Sequence, residues 1–255
     1  MTRRDEYYNR AKQEGYRSRS AYKLRQLDDR ANLLPSGGTV VDLGAAPGGW
    51  LQVAAERVGP SGRVVGVDRQ RIRPLDDHDV ETLRGDMTEE DTRERLREAV
   101  GEGGADAVVS DMAPNMTGEY EVDHARSVHL ARQALETALT VLAPGGDFAV
   151  KVFDGRDLDG FRADVDAEFD HVRTYRPDAS RDSSSELYLV AKGHLTAPVS
   201  AGDELAVEIT DTGSEGDGVA KVDGYTLFVA DTEEGEAVDV RVTEVKPRFG
   251  FAERL

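Results

Sequence analysis

The chain has 255 residues, a formal net charge of −18, five His and no Cys. The absence of Cys excludes disulfides, thiolate catalysis and Cys-based zinc sites, and no metal site is expected from so few His. The start of the chain, MTRRDEYYNR, lacks an apolar signal region, and no stretch approaches 18 consecutive apolar residues, so we expect a soluble cytoplasmic protein.

Residues 5–30 predict two helices separated by a break at Gly15, with Lys23 on the second helix. Residues 1–30 carry nine Lys or Arg against five Asp or Glu, whereas residues 195–255 carry five against 14. The N-terminal segment offers cations for phosphates and rings for stacking on bases: Arg10, Lys12, Arg17, Arg19, Arg25, Tyr7, Tyr8, Tyr16 and Tyr22. A solvated amphipathic helix is the alternative. We favour contact with nucleic acid because this cluster opposes the charge of the remaining chain.

The acidic, Lys-poor composition of that remaining chain resembles proteins from salt-loving organisms. At about 1 M salt, charge repulsion is screened beyond about 3 Å. We therefore expect the protein to tolerate its negative charge in a salty cytoplasm.

Residues 40–50, VVDLGAAPGGW, predict a buried parallel strand that runs into a glycine-rich turn and then a helix. Gly44, Gly48 and Gly49 let the backbone approach a ligand at the N-terminus of that helix. The spacing differs from the G-x-G-x-x-G of dinucleotide-binding proteins, and Pro47 removes one backbone donor. A tight turn without a ligand is an alternative that this segment alone leaves open.

Charged side chains follow at the ends of successive predicted strands, namely Asp68, Asp86, Asp111 and Lys151. In an open α/β sheet, ligands bind beyond the carboxyl ends of the strands, so these side chains are expected to converge on one crevice. Asp68 lies 20 residues after Gly48, the distance at which an acid reaches the hydroxyls of a ligand ribose.

The segment SVHLARQALETALTVL predicts a helix that packs on the sheet and stops at Pro144. His124 and His129 are five residues apart on a helical stretch and are expected to lie on different faces, as surface or interface residues. HVRTYRP and SELYLVAKG predict a closing pair of strands. This region supplies a second set of cations for nucleic acid, Arg173, Arg176 and Arg181.

The composition changes at residues 194–202, HLTAPVSAG, which we interpret as a linker between a domain of residues 1–193 and a domain of residues 203–255. Beyond the linker, short alternating runs separated by Gly or Asp predict a small five-stranded, OB-like β-barrel. Its candidate contacts with nucleic acid are Lys221, Lys246, Arg248, Phe249 and Phe251. An alternative is that the two Phe only complete the core of the barrel.

The segments VVDLGAAPGGW, VVSDMAPNMTG, LAPGGDFAVKVF and SSSELYLVA together resemble the FtsJ-type ribosomal RNA ribose 2′-O-methyltransferases over about residues 7–192. The last 40 or so residues resemble a TRAM domain, an RNA-binding barrel, through GDGVAKVDGYTLFVAD and GEAVDVRVTEVKPRFGFAERL. The resemblance implies an α/β fold, a Rossmann-like sheet with helices on both faces that uses S-adenosylmethionine. It also implies 23S ribosomal RNA or the large ribosomal subunit as partner and a uridine as target. No membrane contact is expected, and a monomer is favoured.

The resemblance further implies a catalytic tetrad of Lys23, Asp111, Lys151 and Glu186. In this assignment Lys151 is the base, Lys23 and Glu186 position the ribose, and Asp111 orients Lys151 and the methyl donor. A lysine accepts a proton only in its neutral form, which burial and nearby positive charge favour. Only six of the 32 Lys and Arg are Lys, so the use of Lys at two catalytic positions favours sites that require an amine.

Contacts with S-adenosylmethionine are also carried over from the family motif. Gly48 and Trp50 are expected beside its methionine end, Asp68 on its ribose hydroxyls, Asp86 near its adenine and Asp111 near its methionine amine. An alternative for Trp50 is a core position in the first helix after the glycine turn.

Three other functions stay open from the sequence alone. A nucleotide-linked dehydrogenase is disfavoured by the missing G-x-G-x-x-G and by the many acids around the expected site. A 2′-O-methyltransferase acting on another RNA, such as transfer RNA, is an alternative for the substrate. A non-catalytic RNA-binding factor in ribosome assembly is disfavoured by the complete tetrad.

Overall fold

The computed structural model describes residues 3–75, 80–181, 184–213 and 216–255, with the backbone alone for residues 3–5. The chain divides into two compact units, residues 1–192 and residues 193–255. Within the described ranges, no helix combines the length and the apolar character needed to cross a membrane.

The first unit is an α/β structure built on one sheet. Its strands are β1 (Thr39–Leu43), β2 (Arg63–Asp68), β3 (Glu81–Arg84), β4 (Ala105–Ser110), β5 (Leu142–Phe153), β6 (Phe169–Tyr175) and β7 (Glu186–His194). Its helices are α1 (Arg3–Gln13), α2 (Ala21–Ala31), α3 (Gly49–Val58), α4 (Glu90–Val100), α5 (Tyr120–Leu139) and α6 (Leu158–Asp166). The strand order is β3-β2-β1-β4-β5-β7-β6.

Strands β1 to β5 pair in parallel, whereas β7 pairs antiparallel with β5. Successive side chains of a strand point to opposite faces of the sheet, and a separate core cluster covers each face. Val41 of β1 packs in one core cluster with Leu135 of α5, and Val40 packs in the other with Leu51 of α3. The predicted Rossmann-like sheet with helices on both faces is thus confirmed, and the parallel strands deliver their carboxyl ends to one edge.

One prediction about element boundaries is wrong. The helix expected to stop at Pro144 ends at Leu139, and β5 begins at Leu142, so that Pro144 lies inside a strand. The pairing of β5 with β4 is irregular between Ala105 and Ala107. A bulge of this kind accommodates a proline, which cannot donate to the ladder.

The second unit is a closed five-stranded barrel, as predicted. Its strands are β8 (Glu204–Thr212), β9 (Gly218–Val222), β10 (Tyr225–Val229), β11 (Ala237–Val245) and β12 (Phe249–Arg254), in the closed order β10-β12-β11-β8-β9. Ile209, Leu227 and Val240 fill its interior. Closure leaves no unpaired strand edge, which explains how so small a core supports a β-structure.

The two Phe of β12 lie outside the barrel core. Phe249 and Phe251 are 38% and 37% exposed, and both pack against Phe228, at ring distances of 5.7 and 5.9 Å. The alternative in which they complete the core is therefore wrong. Among the cations expected beside them, Arg248 is exposed, Lys221 Nζ donates to Thr226 Oγ1 at 2.5 Å, and Lys246 pairs with Glu244 at 2.8 Å.

Candidate active site

The four residues of the expected tetrad come from four separate elements. Lys23 lies on α2, Asp111 follows β4 directly, Lys151 lies within β5 and Glu186 begins β7. The antiparallel register of β5 and β7 places Phe153 opposite Glu186 and Lys151 opposite Tyr188. The sheet therefore brings residues up to 163 positions apart in the sequence to one point.

The tetrad side chains contact one another. Lys151 Nζ donates to Asp111 Oδ1 at 2.9 Å and to the backbone carbonyl of the same Asp. Lys23 Nζ lies 2.7 Å from Glu186 Oε1 and 3.6 Å from Asp111 Oδ1. Both lysines and Glu186 are buried. Two cations and two carboxylates thus form one compact network, in which each buried charge has a partner.

The charge of Asp111 is fixed by this network. Burial raises the pKa of its carboxyl group, but the ammonium groups of Lys151 and Lys23 and the hydrogen bonds from Tyr188 and Lys151 outweigh that effect. The pKa of Asp111 is therefore lowered from its ordinary value. An ionised Asp111 can hold both amines in place at neutral pH.

Tyr188 is a member of the network that the motif comparison did not single out. Its hydroxyl group donates to Asp111 Oδ1 at 2.5 Å, and burial, followed by the nearby negative charges, raises its pKa well above the ordinary value. A neutral Tyr188 is thus a permanent donor to Asp111. The signal was present in the sequence, because Tyr188 follows Glu186 by two residues on a strand and so shares its face.

Two cavities of about 570 Å³ each meet at the tetrad. The first, here called the lysine cavity, is lined by Lys23, Lys151 and Glu186 among others. The second, here called the acidic cavity, is lined by Asp68, Asp86 and Asp111 among others. Both volumes fall in the range of small-molecule sites, and Ala113 borders both cavities. The two cavities are therefore adjacent, with Lys151 lining one and its partner Asp111 lining the other.

The acidic cavity has carboxylates with spare acceptor capacity. Asp68 accepts the backbone N–H of Ala46 at 2.9 Å and that of Gln70 at 2.6 Å. The backbone hydrogen bond from Thr88, followed by that from its hydroxyl group, lowers the pKa of Asp86. An ionised carboxylate has about four acceptor positions, so each acid can still accept hydroxyl or amine donors of a ligand.

The cavity wall next to these acids requires glycine. Gly44 has a φ of +78°, and a Cβ atom added there would lie 2.1 Å from the Cγ atom of Met112. The backbone can therefore form the wall only without a side chain. The acids, the bare backbone and the volume fit an adenosine-containing cofactor, as the motif implies.

Gly48 and Trp50 do not belong to the described linings of either cavity. Trp50 is 3% exposed, its indole N–H donates to Ser20 O at 2.8 Å, and its ring packs 6.0 Å from that of Tyr188. The structure thus shows a packing role for Trp50, which joins α3 to the segment before α2. Direct contact of these two residues with a cofactor stays a prediction.

Arg17 has a different role from the phosphate contact predicted for it. Its guanidinium donates to the carbonyl oxygens of Pro47 at 3.2 Å, of Arg73 at 2.5 Å and of Pro74. These carbonyls belong to the glycine-rich turn and to the loop after β2. The N-terminal segment therefore joins the two loops that flank the acidic cavity.

We expect Arg17→Ala to lower the free energy of unfolding by about 1.5 to 3 kcal/mol, the contribution of a hydrogen bond from a charged group. Arg17→Lys should recover little of it, because one ammonium cannot span three carbonyls as the planar guanidinium does. Chemical denaturation at high salt measures both. The control is Arg97→Ala, which removes an exposed ion pair with Glu90 and should cost under about 1 kcal/mol. Equal effects of Arg17→Ala and Arg97→Ala would contradict the role of Arg17.

Other cations of the N-terminal segment are also engaged. Arg10 and Arg25 both pair with Glu14, at 3.4 and 3.2 Å. Arg19 donates to Ala179 O at 2.6 Å and lines the lysine cavity. Of the cations expected to contact nucleic acid, Arg19 and Arg181 both line the lysine cavity beside the tetrad.

His124 is buried, which contradicts the expectation that it lies on the surface, whereas His129 is exposed as expected. His124 Nδ1 lies 3.0 Å from Phe153 O, and the N–H of Asp157 donates to its Nε2 atom at 3.0 Å. This pairing assigns the proton to Nδ1. The polar start of α5 has no apolar periodicity, so its residue pattern did not indicate that this face packs against the end of β5.

Asp42, the fourth of the five residues of β1, is buried. Its Oδ2 atom has no hydrogen-bond partner among the described residues. Burial, followed by the negative charges of Asp111 and Asp68, raises the pKa of Asp42 well above its ordinary value. The native state therefore holds this proton more tightly than the unfolded chain does.

The sign of this shift predicts a pH dependence of stability. The contribution of Asp42 is fully present below its unfolded pKa, about 3.9, and is lost as the pH rises towards the raised native pKa. Asp42→Asn, which cannot ionise, should gain stability relative to the unchanged protein as the pH rises. Thermal unfolding at pH 5 and pH 8 measures the difference. The prediction fails if the two proteins differ by the same amount at both pH values.

Comparisons with known proteins agree with this geometry. Residues 16–194 match the family model of the FtsJ-like methyltransferases, and residues 198–255 match that of the TRAM domain. Relatives named ribosomal RNA large subunit methyltransferase E include those of Halorubrum lacusprofundi, 69% identical over all of this chain and 95% of the relative, and Natronomonas pharaonis, 70% identical over the full length of both. The relative from Methanosarcina mazei is 48% identical over 98% of this chain and 92% of its own.

A solved structure supports the same assignment for the first unit. A Plasmodium falciparum protein described as a ribosomal RNA methyltransferase superposes with a TM-score of 0.63 at 27% identity, covering 70% of this chain and 98% of its own. The chain belongs to the FtsJ-like methyltransferase family and carries a C-terminal TRAM domain.

Proposed function

We propose that this protein methylates the ribose 2′-hydroxyl group of a uridine in 23S ribosomal RNA, with S-adenosylmethionine as the methyl donor. The observation that carries the proposal is the meeting of the two cavities at the tetrad. The acidic cavity suits the adenosine and amino-acid groups of the donor, and the lysine cavity is open to a ribose. The names of the relatives support large-subunit ribosomal RNA as the substrate.

The tetrad can activate a hydroxyl group that is otherwise a poor nucleophile. S-adenosylmethionine, when bound, supplies an electrophilic methyl group on a sulfonium centre. Lys151, in its neutral form, would accept the 2′-proton as the ribose oxygen takes the methyl group, with the electrons of the broken carbon–sulfur bond left on sulfur. Lys151 Nζ donates two hydrogen bonds to Asp111. The lone pair of the neutral amine is then left for the proton of the hydroxyl group.

The other members of the tetrad position the reactants. Glu186 and Asp111 hold Lys23 Nζ at 2.7 and 3.6 Å, so that its remaining donor direction can bind a ribose oxygen. Asp111 lies at the boundary between the cavities and orients Lys151 towards the methyl group. Fixing the reacting atoms in line removes much of the entropic barrier to transfer.

The barrel is proposed as a second RNA contact. Residues 1–193 would perform the transfer and residues 203–255 would bind RNA, joined by residues 194–202. The exposed rings of Phe249 and Phe251 suit stacking on bases, which tolerates the acidic charge of this unit better than phosphate binding does. Arg173, Arg176 and Arg181 are proposed as further contacts of the first unit.

The experiment that tests cofactor binding is isothermal titration of S-adenosylmethionine into the protein and its Asp68→Ala variant at high salt. We expect binding to weaken by about 1.5 to 3 kcal/mol, because the carboxylate makes charge-assisted hydrogen bonds to the ribose hydroxyls. Asp68→Asn is the control, since it keeps the shape and one acceptor for the N–H groups of Ala46 and Gln70. Unchanged affinity of a folded Asp68→Ala variant would remove Asp68 from the site.

A further inference from the structure

Exposed apolar side chains are concentrated at the mouth of the lysine cavity. Among the described residues, the large hydrophobic side chains that are exposed include Met116 at 61% and Tyr120 at 57%, four positions apart in the chain. Val122, 37% exposed, is near them in the sequence but does not belong to the described lining of the cavity. Met116 and Tyr120 line the lysine cavity together with Lys151 and Glu186. Apolar groups exposed together on a chain with a net charge of −18 indicate a surface that a ligand covers.

The rim of the lysine cavity that Met116 and Tyr120 form is held in place before any ligand binds. The hydroxyl group of Tyr120 donates to Asp154 O at 2.6 Å, which fixes its ring relative to the end of β5. The buried carboxylate of Asp123 accepts the N–H of Thr117 at 2.7 Å, its hydroxyl group at 2.8 Å and the N–H of Gly118 at 3.0 Å. The loop that carries Met116 is thereby anchored to α5. A fixed aromatic face loses little conformational entropy when it binds.

The chemistry of the rim selects its ligand. A flat ring beside a polarisable thioether suits the face of an unsaturated heterocycle, and neither residue belongs to the described lining of the acidic cavity. On the proposed function, a ribose bound to Lys23, Lys151 and Glu186 carries its base within the same cavity. The cofactor's adenine, by contrast, is proposed beside Asp86, which lines the acidic cavity.

We infer that Tyr120, with Met116, forms the stacking site for the base of the target nucleotide, turned out of its RNA strand so that its ribose reaches Lys151. This inference rests on the proposed function and adds a substrate subsite to it. Tyr120 does not touch the reacting atoms and acts as a positioning residue. Every base has a face that can stack, so the subsite fixes the nucleotide and leaves the choice of sequence to other contacts.

The test compares Tyr120→Ala with the unchanged protein in methyl transfer to a 23S ribosomal RNA fragment. We expect kcat/KM for RNA to fall about 10- to 100-fold, the effect of losing one aromatic stacking contact. Binding of S-adenosylmethionine and the Tm should not change. Tyr120→Phe keeps the ring and should keep most of the activity, and Val122→Ala, exposed in the same stretch, is the matched control with no expected loss.

An abasic target separates stacking from a merely structural role. In a fragment whose target nucleotide lacks its base, the unchanged protein should lose about 10- to 100-fold in kcat/KM, and Tyr120→Ala should lose nothing further. An equal additional loss from Tyr120→Ala on both fragments, or full activity of Tyr120→Ala on the intact one, would overturn the inference. Ribose methylation of the intact fragment by the unchanged protein reports on the proposed function separately, so the two failures are distinguishable.

Discussion

Replacing Lys151 with Arg is expected to lower the rate of methyl transfer by about 10²- to 10⁴-fold, the contribution of a positioned general base. Arg keeps the positive charge and much of the length of the side chain, but it cannot lose a proton near neutral pH. Binding of S-adenosylmethionine should survive, because Lys151 lines the lysine cavity and not the described wall of the acidic one. Single-turnover transfer to ribosomal RNA at saturating cofactor, across a pH series, measures the effect.

Lys23→Arg is the matched control for this prediction. Lys23 is as buried as Lys151 and also contacts a carboxylate, Glu186, at 2.7 Å. A residue that only positions the ribose should tolerate a guanidinium better than a residue that accepts the proton. Substantial turnover by Lys151→Arg, or a larger loss in Lys23→Arg, would rule out Lys151 as the base.

Asp111→Asn should have the second large effect, on stability and activity together. The carboxylate of Asp111 is the shared partner of Lys151 Nζ at 2.9 Å and Lys23 Nζ at 3.6 Å. Removing one partner of a buried ion pair costs about 3 to 5 kcal/mol, because the other charge stays buried without compensation. Misplacement of Lys151 by about 1 Å is enough to slow transfer by a further factor of about 10². Denaturant unfolding and methyl transfer measure the two effects.

The control for stability is Asp29→Asn, which breaks the exposed ion pair of Asp29 with Arg57 and should cost under about 1 kcal/mol. The lowered pKa of Asp111 gives a second check. Its contribution is present above the unfolded pKa, about 3.9, and is lost as the pH falls through the lower native pKa. The stability gap between Asp111→Asn and the unchanged protein should therefore narrow in acid, and a gap that widens would contradict the account.

The sequence predicted the elements that carry strong local signals. Residues 40–50 form the expected strand, turn and helix, because Val40 and Val41 are apolar on both faces and the following glycines permit the tight turn. The strand ends at Asp68 and Asp111 follow from the same pattern. The short alternating runs beyond residue 203 likewise predicted a closed barrel, since period-2 alternation separated by Gly or Asp has few other solutions.

Contacts between distant segments could not be predicted in the same way. Arg17 donates to carbonyl oxygens 30, 56 and 57 residues away. Every residue type has the same backbone carbonyl group, so the sequence does not indicate which carbonyls accept these bonds. The burial of Asp123 and His124 was also missed, because these polar residues find their partners in the preceding loop and at the end of β5. Local patterns report burial of apolar groups and not hydrogen bonds made at long range.

The central claim, transfer of a methyl group to a ribose of 23S ribosomal RNA through Lys151, is tested most directly by mapping 2′-O-methyl groups in that RNA. The map should be made from cells with the gene intact, with the gene deleted, and with Lys151→Arg in its place. The account predicts that one uridine loses its 2′-O-methyl group on deletion and stays unmethylated in the Lys151→Arg strain. An unchanged ribose methylation map after deletion, or the loss of a methyl group from a base instead, would contradict it.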